Sequence, residues 1–176
     1  MKHLLERRPP GLPIMLLLAM LVFSLPGHAA AESFRWMDDT GQLHSLKEFE
    51  GKPVIVHIWA SWCPPCRAEM PELSSWLREH PETSFLVVSV DESAKAASVF
   101  LAQHHITAPL LLTDSQEASK LGVRVLPSTF VISGDGEVTR RLLGSQNWAD
   151  QGFTRSLLEE SRKETPEKDQ AAGHFP

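Results

Sequence analysis

Apolar residues recur along this chain in two patterns, and the two patterns alternate. Residues 53–60 (PVIVHIWA) and 84–90 (SFLVVSV) are nearly unbroken apolar runs rich in β-branched and aromatic side chains, as expected of strands buried on both faces. A shorter apolar run covers 109–112. Residues 64–78 and 94–104 carry apolar side chains at helical spacing. This alternation of strands and helices predicts one α/β domain.

Turn signals and short periodic segments add four further elements. They are an N-terminal hairpin (33–37 and 42–45), a short helix (115–121), a second hairpin (129–133 and 137–143) and a last helix over about 148–160 that starts at Asn147. Pro71 lies inside the first helix and predicts a kink. Ser93 or Asp91 is expected to cap the helix over 94–104.

The amino end has the three parts of a secretory signal peptide. Basic residues precede an uncharged apolar run over 14–25, and small residues at 29–31 resemble a cleavage site. A permanent span needs about 20 residues, so cleavage near Ala31 is preferred to an uncleaved anchor. We therefore expect residues 1–31 to be a signal peptide and residues 32–161 to be the folded domain.

Charge and composition limit the partners of this domain. Residues 162–176 are charged and contain Pro166, which predicts a disordered tail. The chain carries a formal net charge of −5 and offers no basic stripe of the kind that a polyanion needs. Nucleic acid is therefore not an expected partner.

The two cysteines of the chain, Cys63 and Cys66, lie in the stretch WASWCPPCRAE over residues 59–69. A structural crosslink is disfavoured, because so short a loop removes little entropy from the unfolded chain. A copper or zinc site would need at least one more convergent ligand, and the chain has no second cysteine pair. The third interpretation is a redox pair.

The position of the pair favours redox chemistry. A cysteine at the first turn of a helix faces unpaired amides and the positive end of the helix dipole, which stabilise the thiolate. Cys63 is therefore the expected nucleophile, and Cys66, one turn into the helix, the expected resolving thiol. Pro64 and Pro65 have no N–H to donate to the Cys63 sulfur, which predicts a more reducing pair.

Three features of the chain occur together: WCPPC after an apolar strand, Glu69 and Pro71 in the following helix, and VLPSTF over 125–130. In this combination the chain resembles the thioredoxin superfamily, and within it the TlpA-like (ResA-like) periplasmic thiol:disulfide reductases. The resemblance covers about residues 33–160. It implies a thioredoxin fold with an N-terminal hairpin, a central helix–strand insertion over about 94–112, and a mixed sheet flanked by helices.

The same resemblance implies a function for a redox disulfide between Cys63 and Cys66. By resemblance, the protein would reduce disulfides in exported proteins, including apocytochromes c, and would receive electrons from a membrane thiol relay of the CcdA or DsbD kind. We also expect a monomer that needs no cofactor. Disulfide oxidation or isomerisation, and copper or zinc carriage, are the alternatives. Peroxidase activity is disfavoured, because Ala60 stands where peroxiredoxins have Thr.

Substrate-contacting residues also follow from the resemblance. Pro127 corresponds to the family's cis-proline, whose neighbour Leu126 would present its backbone to an incoming peptide. Pro64 and Trp62 adjoin the outer sulfur. Trp62 is either a platform for the substrate or a lid packed on the helix.

Proton transfer is less directly specified by the sequence. Glu69 matches an acid that ResA-like members place near the active site, and it could take the Cys66 proton if burial raises its pKa; the alternative is a solvated helix carboxylate. His57 stands where thioredoxin has a buried Asp, and a packed core histidine is a more common role there than a base. Trp148 is expected to be structural. The adjacent pair His104-His105 is expected to be solvated, because neighbouring side chains on a helix diverge.

Overall fold

The computed structural model describes residues 33–162. The expected signal peptide, and residues 163–176 of the expected tail, lie outside this range. None of the helices within residues 33–162 combines the length and the apolar character needed to cross a bilayer.

Strands and helices alternate in the order that the sequence predicts. The strands are β1 (Arg35–Met37), β2 (Leu43–Ser45), β3 (Val54–Trp59), β4 (Phe85–Ser89), β5 (Leu111–Leu112), β6 (Ser128–Ile132) and β7 (Val138–Leu143). The helices are α1 (Pro64–Glu79), α2 (Ala94–Gln103), α3 (Ser115–Lys120) and α4 (Gln151–Ser161), with a 3-10 turn over Leu46–Phe49.

Seven strands of the described chain form one mixed sheet in the order β2-β1-β5-β4-β3-β6-β7. Strand β3 is parallel to β4 and antiparallel to β6, while β4 is parallel to β5. The N-terminal hairpin extends the sheet beyond β5, to which β1 pairs antiparallel. This is the predicted thioredoxin fold, in which α2 and β5 form the central insertion.

The two faces of the sheet are covered by different helices. Helices α1, α2 and α4 contribute to an apolar cluster on one face, and α3 packs with the aromatic residues of the N-terminal hairpin on the other. Side chains of β3 alternate between these clusters, as the pleat of a strand requires. Ile55 and Trp59 belong to the first cluster. His57, which has the same parity, therefore points under α1.

The structure corrects the predicted start of α4 and selects one of the two predicted caps of α2. Helix α4 begins at Gln151, so the predicted start at Asn147 was wrong: the Asn147 side chain accepts the N–H of Ala149 at 3.1 Å, and Asp150 provides the cap by accepting the N–H of Phe153 at 2.7 Å. Of the two candidate caps of α2, Ser93 occupies the N-cap position.

Candidate active site

The two cysteines lie where β3 passes the chain to α1. Cys63 is the N-cap residue of α1, and Pro64 occupies the first helical position, where its missing N–H costs no helical hydrogen bond. A disulfide joins Cys63 to Cys66, whose Cα atoms are 5.3 Å apart. The redox pair of the sequence prediction is thus present as a bonded pair.

The two sulfurs differ in access and in hydrogen bonding. Cys63 is 4% exposed and Cys66 is fully buried, so Cys63 is the outer member of the pair. The Cys63 sulfur accepts the N–H of Cys66 at 3.3 Å. Pro64 and Pro65 supply no amide donors, so this contact is the first that the helix can offer to the sulfur.

A buried carboxylate fixes the loop that leads to Cys63. Asp91 accepts the backbone N–H of Ser61 at 2.9 Å and its hydroxyl at 2.7 Å, and it also accepts the Ser89 hydroxyl at 2.6 Å. Arg67 of α1 donates to the Ser61 carbonyl at 3.1 Å. Sequence reasoning considered Asp91 only as a helix cap, because nothing in the chain signals that it turns inward.

The loop before β6 forms one wall of the site. The Leu126–Pro127 peptide bond is cis, Pro127 is buried, and the Pro127 carbonyl accepts the N–H of Gly144 at 2.9 Å. Leu126 is half-buried and, with Cys63 and Pro64, lines a groove of about 1470 Å³.

This groove has an apolar surface that is open to solvent. Trp62 is 64% exposed, so it does not act as a packed lid. Further exposed apolar side chains line the same groove, from the N-terminal hairpin and from the loop before Leu126: Met37, Leu43 and Val125. The groove beside Cys63 is therefore bordered by several exposed apolar side chains.

Glu69 is buried beneath the site rather than solvated, with 4% of its surface exposed. Its Oε2 accepts the backbone N–H of Gln146 at 2.8 Å and the indole N–H of Trp148 at 3.3 Å. Burial raises the pKa of Glu69 to about 7, against the lowering effect of these two hydrogen bonds. A carboxyl group with that pKa can exchange a proton near neutral pH.

His57 faces Glu69 from the sheet. Its Nε2 lies 3.3 Å from Glu69 Oε1, and its Nδ1 lies 2.9 Å from Thr129 Oγ1. The ring also makes an edge contact with Trp148. Complete burial lowers the pKa of His57 to about 3, so the imidazole is neutral.

Sequence reasoning missed three of these contacts. Trp148 packs in the core as expected, but it also donates to Glu69. The amide of Gln146 carries no sequence signal, since any residue other than proline has one. Thr129 could have been found, because pairing of β3 with β6 places it directly opposite His57.

The remaining predicted residues lie away from this site. His104 and His105 are exposed at the end of α2. Within residues 33–162, no group of three or more histidine, cysteine or acidic residues is arranged to hold a metal ion.

The fold and the cysteine pair define a thioredoxin-like redox protein. Residues 26–141 match the AhpC/TSA family, and the chain belongs to this family. Among its relatives, the thiol-disulfide oxidoreductase ResA of Bacillus thuringiensis subsp. konkukian (strain 97-27) is 32% identical over 136 residues, which cover 76% of this chain and 75% of the relative.

Two further comparisons agree with this assignment. The sporulation thiol-disulfide oxidoreductase A of Bacillus subtilis (strain 168) is 28% identical over 147 residues, covering 76% of this chain and 88% of the relative. The crystal structure of StoA from Bacillus subtilis superposes with a TM-score of 0.56 at 25% identity, covering 73% of this chain and 95% of that one. The protein is a thiol-disulfide oxidoreductase of the ResA type.

Proposed function

We propose that this protein reduces disulfides in exported proteins, with Cys63 as the nucleophile and Cys66 as the resolving thiol. The observation that carries the proposal is the placement of Cys63 at the N-cap of α1, beside the apolar groove, while Cys66 is fully buried behind it. A partner can therefore approach one sulfur and not the other.

The reaction proceeds by two exchanges. The Cys63 thiolate attacks a substrate disulfide, which forms a mixed disulfide and releases one substrate thiolate. Cys66 then loses its proton, and its thiolate attacks the Cys63 sulfur. This step releases the second substrate thiolate and leaves the Cys63–Cys66 disulfide, so two electrons pass from the enzyme to the substrate.

Glu69 is the acceptor for the Cys66 proton in this proposal. It lies three residues after Cys66, one turn along α1, and its pKa of about 7 leaves a substantial ionised fraction at neutral pH. The carboxylate takes the proton as Cys66 attacks, and it returns the proton to solvent or to a leaving thiolate afterwards.

The reducing direction is supported by the small number of amide donors that α1 offers to the Cys63 sulfur. Two prolines follow it, and the Cys66 N–H reaches it at 3.3 Å. A less stabilised thiolate raises the free energy of the dithiol form, which makes the dithiol a better reductant.

The amino-terminal sequence supports the proposed cellular setting. An N-terminal segment with the pattern of a signal peptide supports a periplasmic location, either after cleavage or with that segment as an anchor. Apocytochromes c are the proposed substrates, a membrane thiol relay of the CcdA or DsbD kind is the proposed electron donor, and the acting form is a monomer. Pro64, Trp62, Leu126 and Pro127 form the proposed substrate contacts.

The reduction potential of the purified mature domain tests the direction. Equilibration against glutathione should give a value below roughly −200 mV, towards the thioredoxin end of the range. A value near that of strong periplasmic oxidants, about −120 mV, would assign the protein as a disulfide oxidase instead.

A further inference from the structure

A buried cross-strand pair lies directly behind Glu69. His57 on β3 and Thr129 on β6 are register partners, and both are almost completely buried. Their side chains approach at 2.9 Å, and the other ring nitrogen of His57 lies 3.3 Å from Glu69 Oε1. Apart from this mutual approach, neither His57 Nε2 nor Glu69 Oε1 has a hydrogen-bond partner within residues 33–162.

The hydroxyl of Thr129 determines which ring nitrogen carries the proton. A hydroxyl has one proton to donate, and a neutral imidazole has one donor nitrogen and one acceptor nitrogen. Within residues 33–162, Thr129 Oγ1 has His57 Nδ1 as its hydrogen-bond partner. If Nδ1 carried the ring proton, the buried hydroxyl proton would have no acceptor, which is costly. The hydroxyl therefore donates to Nδ1, and the ring proton resides on Nε2.

We propose that Thr129 and His57 are positioning residues for Glu69: the Thr129 hydroxyl fixes the His57 tautomer, and the resulting Nε2–H faces Glu69 Oε1. This inference rests on the proposed role of Glu69 as the acceptor of the Cys66 proton. It assigns a function to the histidine that replaces the buried Asp of thioredoxin.

The arrangement makes Glu69 a temporary holder of a proton. Oε2 already accepts two N–H groups, from Gln146 and Trp148, so an added proton belongs on Oε1. On Oε1 the proton faces the Nε2–H of His57. Both groups are then hydrogen-bond donors, so neither can accept the other's hydrogen, and the protonated carboxyl group is destabilised. Glu69 can take the Cys66 proton under this constraint, but it releases that proton readily.

Few other charged groups lie close enough to Glu69 to change its proton affinity. The titratable groups near it are Glu72 on the same helix and the two cysteines, besides His57 itself. The elements packed against this site from the sheet and from the loop before α4 present uncharged side chains, namely Thr129, Phe85 and Trp148.

The tautomer can be measured directly by ¹⁵N NMR of the oxidised protein. We expect the wild-type His57 ring to carry its proton on Nε2, and Thr129→Ser, which keeps the hydroxyl, to preserve this state. Thr129→Val has nearly the same shape without the hydroxyl, and below the Glu69 titration midpoint it should shift the ring towards the Nδ1–H form, whose bare Nε2 accepts the Glu69 O–H. A wild-type ring protonated on Nδ1 would overturn the proposal.

The consequence for Glu69 is measured by ¹³C NMR of its carboxyl group, again in the oxidised protein, where the cysteines do not titrate. In Thr129→Val the ring can accept the Glu69 O–H, so the titration midpoint should rise by about one pH unit, a tenfold gain in proton affinity. Thr129→Ser should titrate like the wild type. An unchanged midpoint in a folded Thr129→Val protein would contradict the proposal.

A second pair of variants covers the case in which Thr129→Val does not fold. His57→Gln can place an amide N–H near the Nε2 position and should keep the Glu69 midpoint within a few tenths of a unit, whereas His57→Leu should raise it. Equal midpoints in the two variants would also contradict the proposal. These titrations involve no turnover. Their results therefore test the positioning of Glu69 independently of the proposed transfer of the Cys66 proton to Glu69.

Discussion

Asp91 holds Ser61 by two hydrogen bonds, one from the backbone N–H at 2.9 Å and one from the hydroxyl at 2.7 Å. Ser61 lies two residues before Cys63, while Asp91 follows the end of β4. The contact therefore ties the loop that carries the nucleophile to the neighbouring strand of the sheet.

Asp91→Ala should lower the free energy of unfolding of the oxidised protein by about 2 kcal/mol or more, because it leaves buried donors unpaired. Urea denaturation measures this loss, and Glu92→Ala, at the exposed next position, is the matched control, with an expected change within about 0.5 kcal/mol. Equal stability of the two variants would mean that Asp91 does not anchor the loop.

The unequal access of the two sulfurs predicts unequal reactivity. Cys66→Ser should accumulate stable mixed disulfides on Cys63, whereas Cys63→Ser should accumulate none. Alkylation of the reduced wild-type protein near neutral pH should fall mainly on Cys63, as mass spectrometry of the digested protein would show. Faster modification of Cys66 would mean that the order of attack is the reverse of the one proposed.

Glu69→Gln should alter the pH dependence of disulfide reduction. In the wild type the resolving step should accelerate as pH rises through the Glu69 pKa of about 7, because the ionised carboxylate is the form that accepts the proton. The variant should lose this inflection and resolve mixed disulfides roughly a hundredfold more slowly at neutral pH. Glu79→Gln, which changes an exposed carboxylate at the last residue of α1, should retain the wild-type profile.

An unchanged profile in Glu69→Gln would leave water or His57 as the acceptor of the Cys66 proton. The variant His57→Asn would then separate these two possibilities, because it removes the imidazole and leaves access of water to the thiol largely intact.

The buried carboxyl group of Glu69 should also make the stability of the folded protein decrease as pH rises. Its pKa rises from 4.5 to about 7 on folding, so between these pH values the folded state binds more protons than the unfolded state. Wild-type stability should therefore fall relative to Glu69→Gln as pH rises from about 4.5 to about 7, with no further change above that. Melting temperatures of the oxidised proteins across this range measure the difference, and parallel curves would contradict it.

The N-terminal hairpin should respond to pH through His44. Its Nε2 lies 3.1 Å from Asp38 Oδ2 and its Nδ1 lies 3.0 Å from Glu48 Oε2, and these contacts raise the pKa of His44. The hydrogen bonds to Thr40 and His44 lower the pKa of Asp38. The His44 contribution should be complete below pH 6.5 and be lost as pH rises through the folded pKa; the Asp38 contribution is present above pH 3.8 and is lost on acidification.

His44→Gln should flatten the alkaline side of this stability profile, which thermal melts from pH 5 to pH 9 would show. The control is His105→Asn, which changes an exposed histidine with a positive φ angle that asparagine tolerates. A profile that responds equally to both substitutions would mean that the hairpin contacts do not set it.

Most of the fold could be predicted from the sequence because its signals are local. The apolar run around His57, the helical spacing after Cys66 and the turn at Asp38 each specify an element through neighbouring residues. The start of α4 was wrong for the same reason: Asn147 is a good local cap, but it makes a turn that allows Trp148 to enter the core.

The chemistry of the candidate site was only partly predictable. The spacing of Cys63 and Cys66 and the apolar strand before them identify the redox pair from the sequence. The burial of Glu69 depends on Gln146 and Trp148, which are 77 and 79 residues away in the chain, so no local pattern could distinguish it from a solvated carboxylate. The inward turn of Asp91 likewise depends on the packing of β4 beside β3.

The loop between β7 and α4 connects the carboxyl-terminal part of the domain to the candidate active site, because two of its residues donate hydrogen bonds to Glu69. A chain ending after Leu143 would keep both cysteines, α1 and every strand of the sheet, yet it would lack the donors from Gln146 and Trp148. Its Glu69 carboxylate would lose the cover that separates it from water. Substitutions in this loop therefore reach the acid without touching the cysteines, and an assay that counts thiols would not detect their effect.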